Sequence, residues 1–339
     1  MKTTRVITGL SADSLPIQRL IDEGEPAILK GVAADWPLVR KGLEGARAAI
    51  DYLASFDAGQ PVVGYTGAPE IGGRFFYNDD LTRLNFEAKR VPFGEFLGRI
   101  AEHIGDPDAP SFYIGSTDLS LFLPGLGGDN GLPADLAPFA DHKRMAGIWI
   151  GNRTVASTHY DFSNNIACSL VGRRRFTLFP PDQIANLYPG PLEPTPGGQV
   201  VSMVDLRAPD FDRFPAFREA LEHAQVAELE PGDLLIYPAM WWHNVEALDA
   251  FNVMINYWWN AVPRFVDTPM ITLKHALLSL RDRPEHEKAA WRELFDYYVF
   301  GDPQQAASHL PEHVQGPLGR MDDVRARRLR ADILARLNR

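Results

Sequence analysis

Residues 158–180, THYDFSNNIACSLVGRRRFTLFP, decide the fold. Residues 165–170 and 174–179 are short β-rich runs, and Gly172 between them marks a turn, so the stretch reads as two strands. Outward from it, 148–150, 234–237 and 251–258 repeat the signature between Gly147 and Asn260, with Gly, Pro or Asp at the breaks. That density of short strands predicts a mainly β core, a barrel or a sandwich. The flanks differ. On the N-terminal side, 14–23, 43–56 and 94–103 carry helical spacing, while 26–31 and 62–65 read as strands. After Pro263 the pattern turns helical, with amphipathic segments predicted at 268–280, 285–298 and 322–337. No repeat of fixed period and no low-complexity tract separates independent domains. The expected organisation is an N-terminal α/β wrap over 1–120 that lends strands to the barrel, a catalytic core over 121–262 and a C-terminal helical segment over 263–339. Residues 124–141, PGLGGDNGLPADLAPFAD, have the composition of a long loop, either a surface excursion or a functional cover.

Composition narrows the partners. A chain of 339 residues with 45% hydrophobic content can bury a large core, and its net charge of −10 makes a nucleic-acid backbone an unfavoured partner. Cys168 is the only cysteine, so no disulfide forms within the chain, and the first residues lack the charged-then-apolar pattern of a secretory signal. A cytoplasmic setting is expected. No apolar run approaches the roughly 20 residues of a membrane span, so no membrane is expected.

The chemistry begins at His159-Tyr160-Asp161. On a strand, residues i and i+2 share a face, so His159 and Asp161 can bind one metal together. His243, which closes the stretch 237–243 at the end of a β-rich run, supplies a third ligand. Two imidazoles and a carboxylate on one face leave other positions open, the arrangement of non-haem Fe(II) oxygenases. The remaining seven histidines lie mainly in helical or loop-like stretches without carboxylates at ligand spacing. Trp241, Trp242, Trp258 and Trp259 crowd the third ligand; they either exclude water from the metal or simply pack a core.

Several blocks occur together in order: HYD (159–161), GRRRFTLFPPDQ (172–183), LYP (187–189), PDFDRFP (209–215), EPGDLLIYP (230–238) and WWH (241–243). In these the chain resembles the JmjC-type, cupin-like family of Fe(II)- and 2-oxoglutarate-dependent oxygenases, closest in motifs to the branch of the asparaginyl hydroxylase that modifies hypoxia-inducible factor. The resemblance implies a double-stranded β-helix, a jelly-roll barrel, that uses Fe(II), 2-oxoglutarate and O2. It places Arg174 where the family usually carries a lysine, thirteen residues beyond Asp161, against the distal carboxylate of 2-oxoglutarate. Arginine keeps the charge and offers two parallel donors, whereas Arg173 and Arg175 are expected to alternate outward. Tyr113, Asn165 and Asn256 match positions lining the co-substrate. The family's threonine three residues before the first ligand is Ala156 here, so a hydroxyl contact is missing that Thr158 or Thr177 could replace.

The implied activity is hydroxylation of a protein or peptide side chain. Alternatives are a small-molecule or tRNA-base hydroxylase, or a metal-binding cupin without oxygenase activity. The C-terminal helices lie where similar proteins dimerise, so a homodimer is expected. The arginine-rich 325–330 reads as a solvated helix face.

Overall fold

The computed structural model describes residues 1–140 and 142–338, so the last residue of the predicted 124–141 loop lies outside the described residues. The chain divides into two compact units, Met1–Asn260 and Ala261–Arg339. Fifteen strands run through the described residues of the first: β1 (Lys2–Thr3), β2 (Arg5–Ile7), β3 (Ala27–Leu29), β4 (Val62–Gly67), β5 (Arg74–Phe75), β6 (Phe86–Val91), β7 (Ser111–Asp118), β8 (Met145–Gly151), β9 (Val155–Tyr160), β10 (Asn164–Val171), β11 (Arg174–Phe179), β12 (Gln225–Leu229), β13 (Leu234–Tyr237), β14 (Trp242–Ala247) and β15 (Asn252–Trp259). They form a six-stranded sheet in the order β1-β12-β11-β14-β9-β5 and a nine-stranded sheet in the order β2-β3-β13-β10-β15-β8-β7-β4-β6.

The deciding stretch explains how one chain builds both. β10 belongs to the large sheet and β11 to the small one, and Gly172 carries the chain across. Its φ is +69°, and a Cβ there would run into the Asn252 side chain and lie 2.7 Å from the Phe251 carbonyl, so only glycine fits. Alternation along β10 then sorts the side chains. Ile166, Cys168 and Leu170 join the core on the outer face of the large sheet, whereas Ala167 faces the space between the sheets. From the small sheet Phe176, Leu178, Ala227, Leu229 and Val245 enter the same space, opposite Leu235, Tyr237 and Met254. The result is a jelly-roll sandwich.

Both outer faces are covered. Helices α1 (Ile17–Asp22), α2 (Pro37–Glu44), α3 (Ala46–Ala54) and α4 (Phe93–Glu102) cover the large sheet, and α4 buries Phe93, Phe96, Leu97 and Ile100, each contributing about 2 kcal/mol. The single helix expected over 43–56 is two, because Gly45, at φ +139°, breaks it and Pro37 starts the first early. On the small sheet, Phe179 and Trp242 pack against Leu187, Val200, Val204 and Phe217. Asp233 ties the turn after β3 to the barrel. Its carboxylate accepts from the Gly31 and Glu230 amides, both at 2.9 Å, and from Lys30 Nζ at 2.7 Å.

Residues 124–140 are neither a mere surface excursion nor a cover over the interior. Leu126, Leu132, Leu136 and Phe139 are buried in the outer core of the large sheet. Asn130, 0% exposed, accepts from the Leu38 amide at the start of α2 at 2.6 Å and donates to the Leu126 carbonyl and Tyr52 hydroxyl, both at 3.0 Å. The Leu132 amide donates to the Tyr257 hydroxyl at 3.0 Å.

In the second unit, helices span Pro269–Ser279, Glu285–Phe295, Pro303–Ala307 and Asp323–Leu337, and a π-helical turn, Asp296–Phe300, replaces the end of the helix predicted over 285–298. The first two of these helices bury none of their residues, and Leu278 is 82% and Phe300 75% exposed. In the arginine-rich segment Arg330 pairs with Asp267 at 2.8 Å. No helix among the described residues is long and apolar enough to cross a membrane.

Candidate metal centre

β9 and β14 are neighbours in the small sheet, and His159 pairs directly with His243, with ring centroids 4.3 Å apart. Directly paired residues share a face, and Leu178, the partner of His243 on β11, points between the sheets, so both imidazoles do too. Asp161 follows β9 by one residue and keeps the face of His159. The strand expected at 234–237 is β13, and His243 lies beyond its end. β13 stops at Tyr237, the chain turns, and His243 is the second residue of β14. The turn needs Met240 at φ +68°, a left-handed conformation costly for a non-glycine residue, and its amide donates to the Asp161 carbonyl at 2.8 Å.

Backbone carbonyls set the imidazole tautomers. Nδ1 of His159 faces the Ser157 carbonyl at 2.7 Å and Nδ1 of His243 faces the Trp241 carbonyl at 3.0 Å. A carbonyl only accepts, so each Nδ1 carries the proton and each Nε2 offers a lone pair. Burial, then the neighbouring His159, lowers the pKa of His243 to about 4, which keeps that imidazole neutral and free to ligate. One ligand atom from each of His159, Asp161 and His243 lies within 4.8 Å of the others. The donor set fits a divalent transition metal.

A second layer orients the carboxylate. Oδ2 of Asp161 accepts from Asn165 Nδ2 at 3.1 Å and from Trp258 Nε1 at 3.0 Å. Asn256 donates to Asn165 Oδ1 at 3.4 Å and accepts from Trp149 Nε1 at 2.6 Å. Asn165 and Asn256, expected beside the metal, therefore form a chain ending on the ligand. The four tryptophans divide. Trp242 and Trp259 belong to outer cores, Trp241 packs in the interior and donates to the Gly24 carbonyl at 3.1 Å, and Trp258 holds Asp161. The signal for Trp258 was its position two residues after Asn256, on the same face of β15.

Further into the interior lies Arg174, 2% exposed, paired in register with Leu229 and Ala247. Arg173 and Arg175 alternate outward, Arg173 onto Asp249 at 2.8 Å and Arg175 onto Glu228 at 2.9 Å. Nε and Nη2 of Arg174 have no partner among the described residues. These two nitrogens form one edge of the guanidinium, the edge that grips a carboxylate through two parallel bonds. Burial lowers its pKa to about 10, opposed by the nearby Tyr113, so the group stays charged at neutral pH. A buried charge without a partner is costly, and a carboxylate answers it. Four residues along the strand from Leu178, Arg174 lies roughly 13 Å from the His243 row.

Tyr113 stands beside it, stacked on Phe75 at 5.6 Å, and burial raises its pKa further above the usual tyrosine range. Tyr65, which the sequence did not single out, has its ring 6.4 Å from that of Tyr113. The expected role of Thr158 is corrected. It precedes His159 on β9, so the pleat turns it to the opposite face. Thr177 pairs with Asn244, on the face away from Leu178. A bulge sets Ala156, opposite Val245, on the interior face, and neither threonine replaces the hydroxyl it lacks.

Two sheets enclosing an inward His-Asp-His group and a buried cation define a jelly-roll protein whose interior offers a ligand set for a metal. Residues 13–265, well over half of the chain, match the family described as "Cupin-like domain", and the chain belongs to that family. It is 31% identical over 201 residues to the tRNA wybutosine-synthesizing protein 5 of Danio rerio, covering 54% of this chain and 57% of that protein. It is 39% identical over 113 residues to the human HSPB1-associated protein 1, 33% of this chain and 22% of that one. With the lysine-specific demethylase 8 of Xenopus tropicalis it shares 27% identity over 243 residues, 70% and 48% of the two chains. The chain thus spans less than two thirds of the length of each of these relatives.

Proposed function

We propose that this chain is an Fe(II)- and 2-oxoglutarate-dependent oxygenase that hydroxylates a protein or peptide side chain. The unpartnered Nε–Nη2 edge of Arg174, buried in the same interior as a His-Asp-His group, carries the reading. It supplies the cation that a dicarboxylate needs when its keto-acid end reaches the metal. Iron, when bound, supplies the redox chemistry by which O2 and 2-oxoglutarate give succinate, CO2 and a hydroxyl in place of a substrate C–H hydrogen. The chain's own work is positioning. His159 and His243 present Nε2, Asn165 and Trp258 hold the carboxylate of Asp161, and Arg174 with Tyr113 orients the co-substrate. Phe75, Tyr113 and Trp149 wall this space and exclude water.

A protein side chain is the first choice of substrate because the sequence motifs resemble those of the asparaginyl-hydroxylase branch and because one relative is named for lysine-specific demethylation. A tRNA substrate is the second reading, supported by the zebrafish relative's name and opposed by the net charge of −10. We also place the enzyme in the cytoplasm as a homodimer joined through its C-terminal helices, where Ile271, Leu278 and Phe300 are exposed. The test is succinate formation by the purified protein with Fe(II) and 2-oxoglutarate. His159→Ala and Asp161→Ala are expected to abolish it; turnover retained by either, or absent from the wild type, would sink the oxygenase reading in favour of a non-redox cupin.

A further inference from the structure

A cavity of about 580 Å³, lined in part by Trp241, two residues before the ligand His243, is not used by the proposed chemistry. Among its lining residues is the buried Gln225. On β12 Gln225 pairs with Leu178, which pairs with His243, which pairs with His159, so one row of inward residues crosses four strands. At a strand spacing of about 4.8 Å, Gln225 is roughly 10 Å from His243 along that row. It is 3% exposed, lines the cavity, and its side-chain amide makes no hydrogen bond among the described residues. The amide opens onto the cavity and not onto protein partners, so a ligand entering it meets a donor and an acceptor that are both free.

The lining indicates what would be recognised. A primary amide sets one donor beside one acceptor, the complement of a main-chain peptide group. Trp241 with Pro180 and Pro181 offers apolar surface for a flanking side chain, and Lys2, Glu25 and Asp182 bring charges of both signs. Mixed charge suits a polypeptide and does not suit a polyphosphate backbone. An extended peptide advances about 3.3 Å per residue, so roughly 10 Å corresponds to about three residues. Resting on the peptide-hydroxylase reading, we infer that this cavity is a substrate subsite in which Gln225 hydrogen-bonds a main-chain amide about three residues from the side chain presented to the metal ligands.

The test is binding. Pools of fluorescein-labelled decapeptides, one position fixed per pool, are titrated by fluorescence polarisation against the full chain and against Gln225→Met, which keeps the volume and loses the amide. The preferred pool is expected to bind Gln225→Met about tenfold more weakly. In the wild type, labelled with 15N-glutamine, the Gln225 side-chain NH2 signal is expected to shift when that pool is added, a readout that does not depend on the variant folding. Equal affinity for wild type and variant, no shift, or no pool that binds at all overturns the proposal. So does a single-stranded RNA decamer that binds more tightly than every pool and depends on Gln225. Wild-type succinate formation is scored separately: its absence sinks the oxygenase reading, while the polarisation data judge the peptide subsite.

Discussion

Two donors converge on Oδ2 of Asp161, which lies 3.7 Å from Nε2 of His243, so they fix how the carboxylate faces the imidazoles. Trp258→Phe keeps the ring and removes the Nε1 donor, so metal affinity should fall about tenfold, measured by Mn(II) titration followed by EPR. An unchanged Kd would show that Asn165 alone fixes the carboxylate. Arg174→Met is expected to raise the KM for 2-oxoglutarate at least a hundredfold while raising Tm by a few degrees, because a buried charge without a protein partner is removed; a lower Tm would mean the guanidinium is satisfied in solution. His243 adds a pH dependence. Its folded pKa of about 4 lies below the ordinary 6.5, so between those values the unfolded chain binds a proton that the folded chain refuses. The metal-free protein should therefore lose stability as pH falls through that window, seen as a declining urea midpoint, and should be insensitive to this group above it. Legibility at this scale followed spacing. His159, Asp161 and His243 stand out because ligand types recur at strand periods, whereas Gln225 carried no signal, since nothing in QVAEL shows which strand will lie beside it.

Strands and turns were legible where apolar runs end on glycine or proline. β10, β11 and β13 are found that way, while β12 follows the helix Phe217–His223 almost directly and has no turn signal to announce it. β14 was not singled out: it begins just beyond a turn at Met240, a strained non-glycine residue. Met240→Gly should relieve that strain and raise stability by up to about 1 kcal/mol, less the entropy that glycine gives the unfolded chain. The clamp at Asp233 is the opposite case. Asp233→Ala would leave the Gly31 and Glu230 amides and Lys30 without their acceptor, and a loss of about 3 kcal/mol in denaturant unfolding is expected. A loss below about 1 kcal/mol would show that water replaces the carboxylate freely.

Across the whole molecule, the sandwich was legible in the density of short strands, and the assignment of each strand to its sheet was not, because pairing is set by contacts far apart in sequence. The first unit holds its own cores, so a chain ending at residue 260 should fold and bind Mn(II). In light scattering at micromolar concentration, that fragment should run as a monomer and the full chain as a dimer; a full-length monomer would remove the helices' proposed role. Tyr257 and Trp258 are neighbours on β15 facing opposite ways, one gripping Leu132 in the 124–140 segment and the other gripping Asp161. In an unbiased mutational screen, hits near Leu132 or Asn130 would therefore score as weakened Mn(II) binding, and a purely positional map would file them as remote noise when they are mechanically one strand away from Asp161.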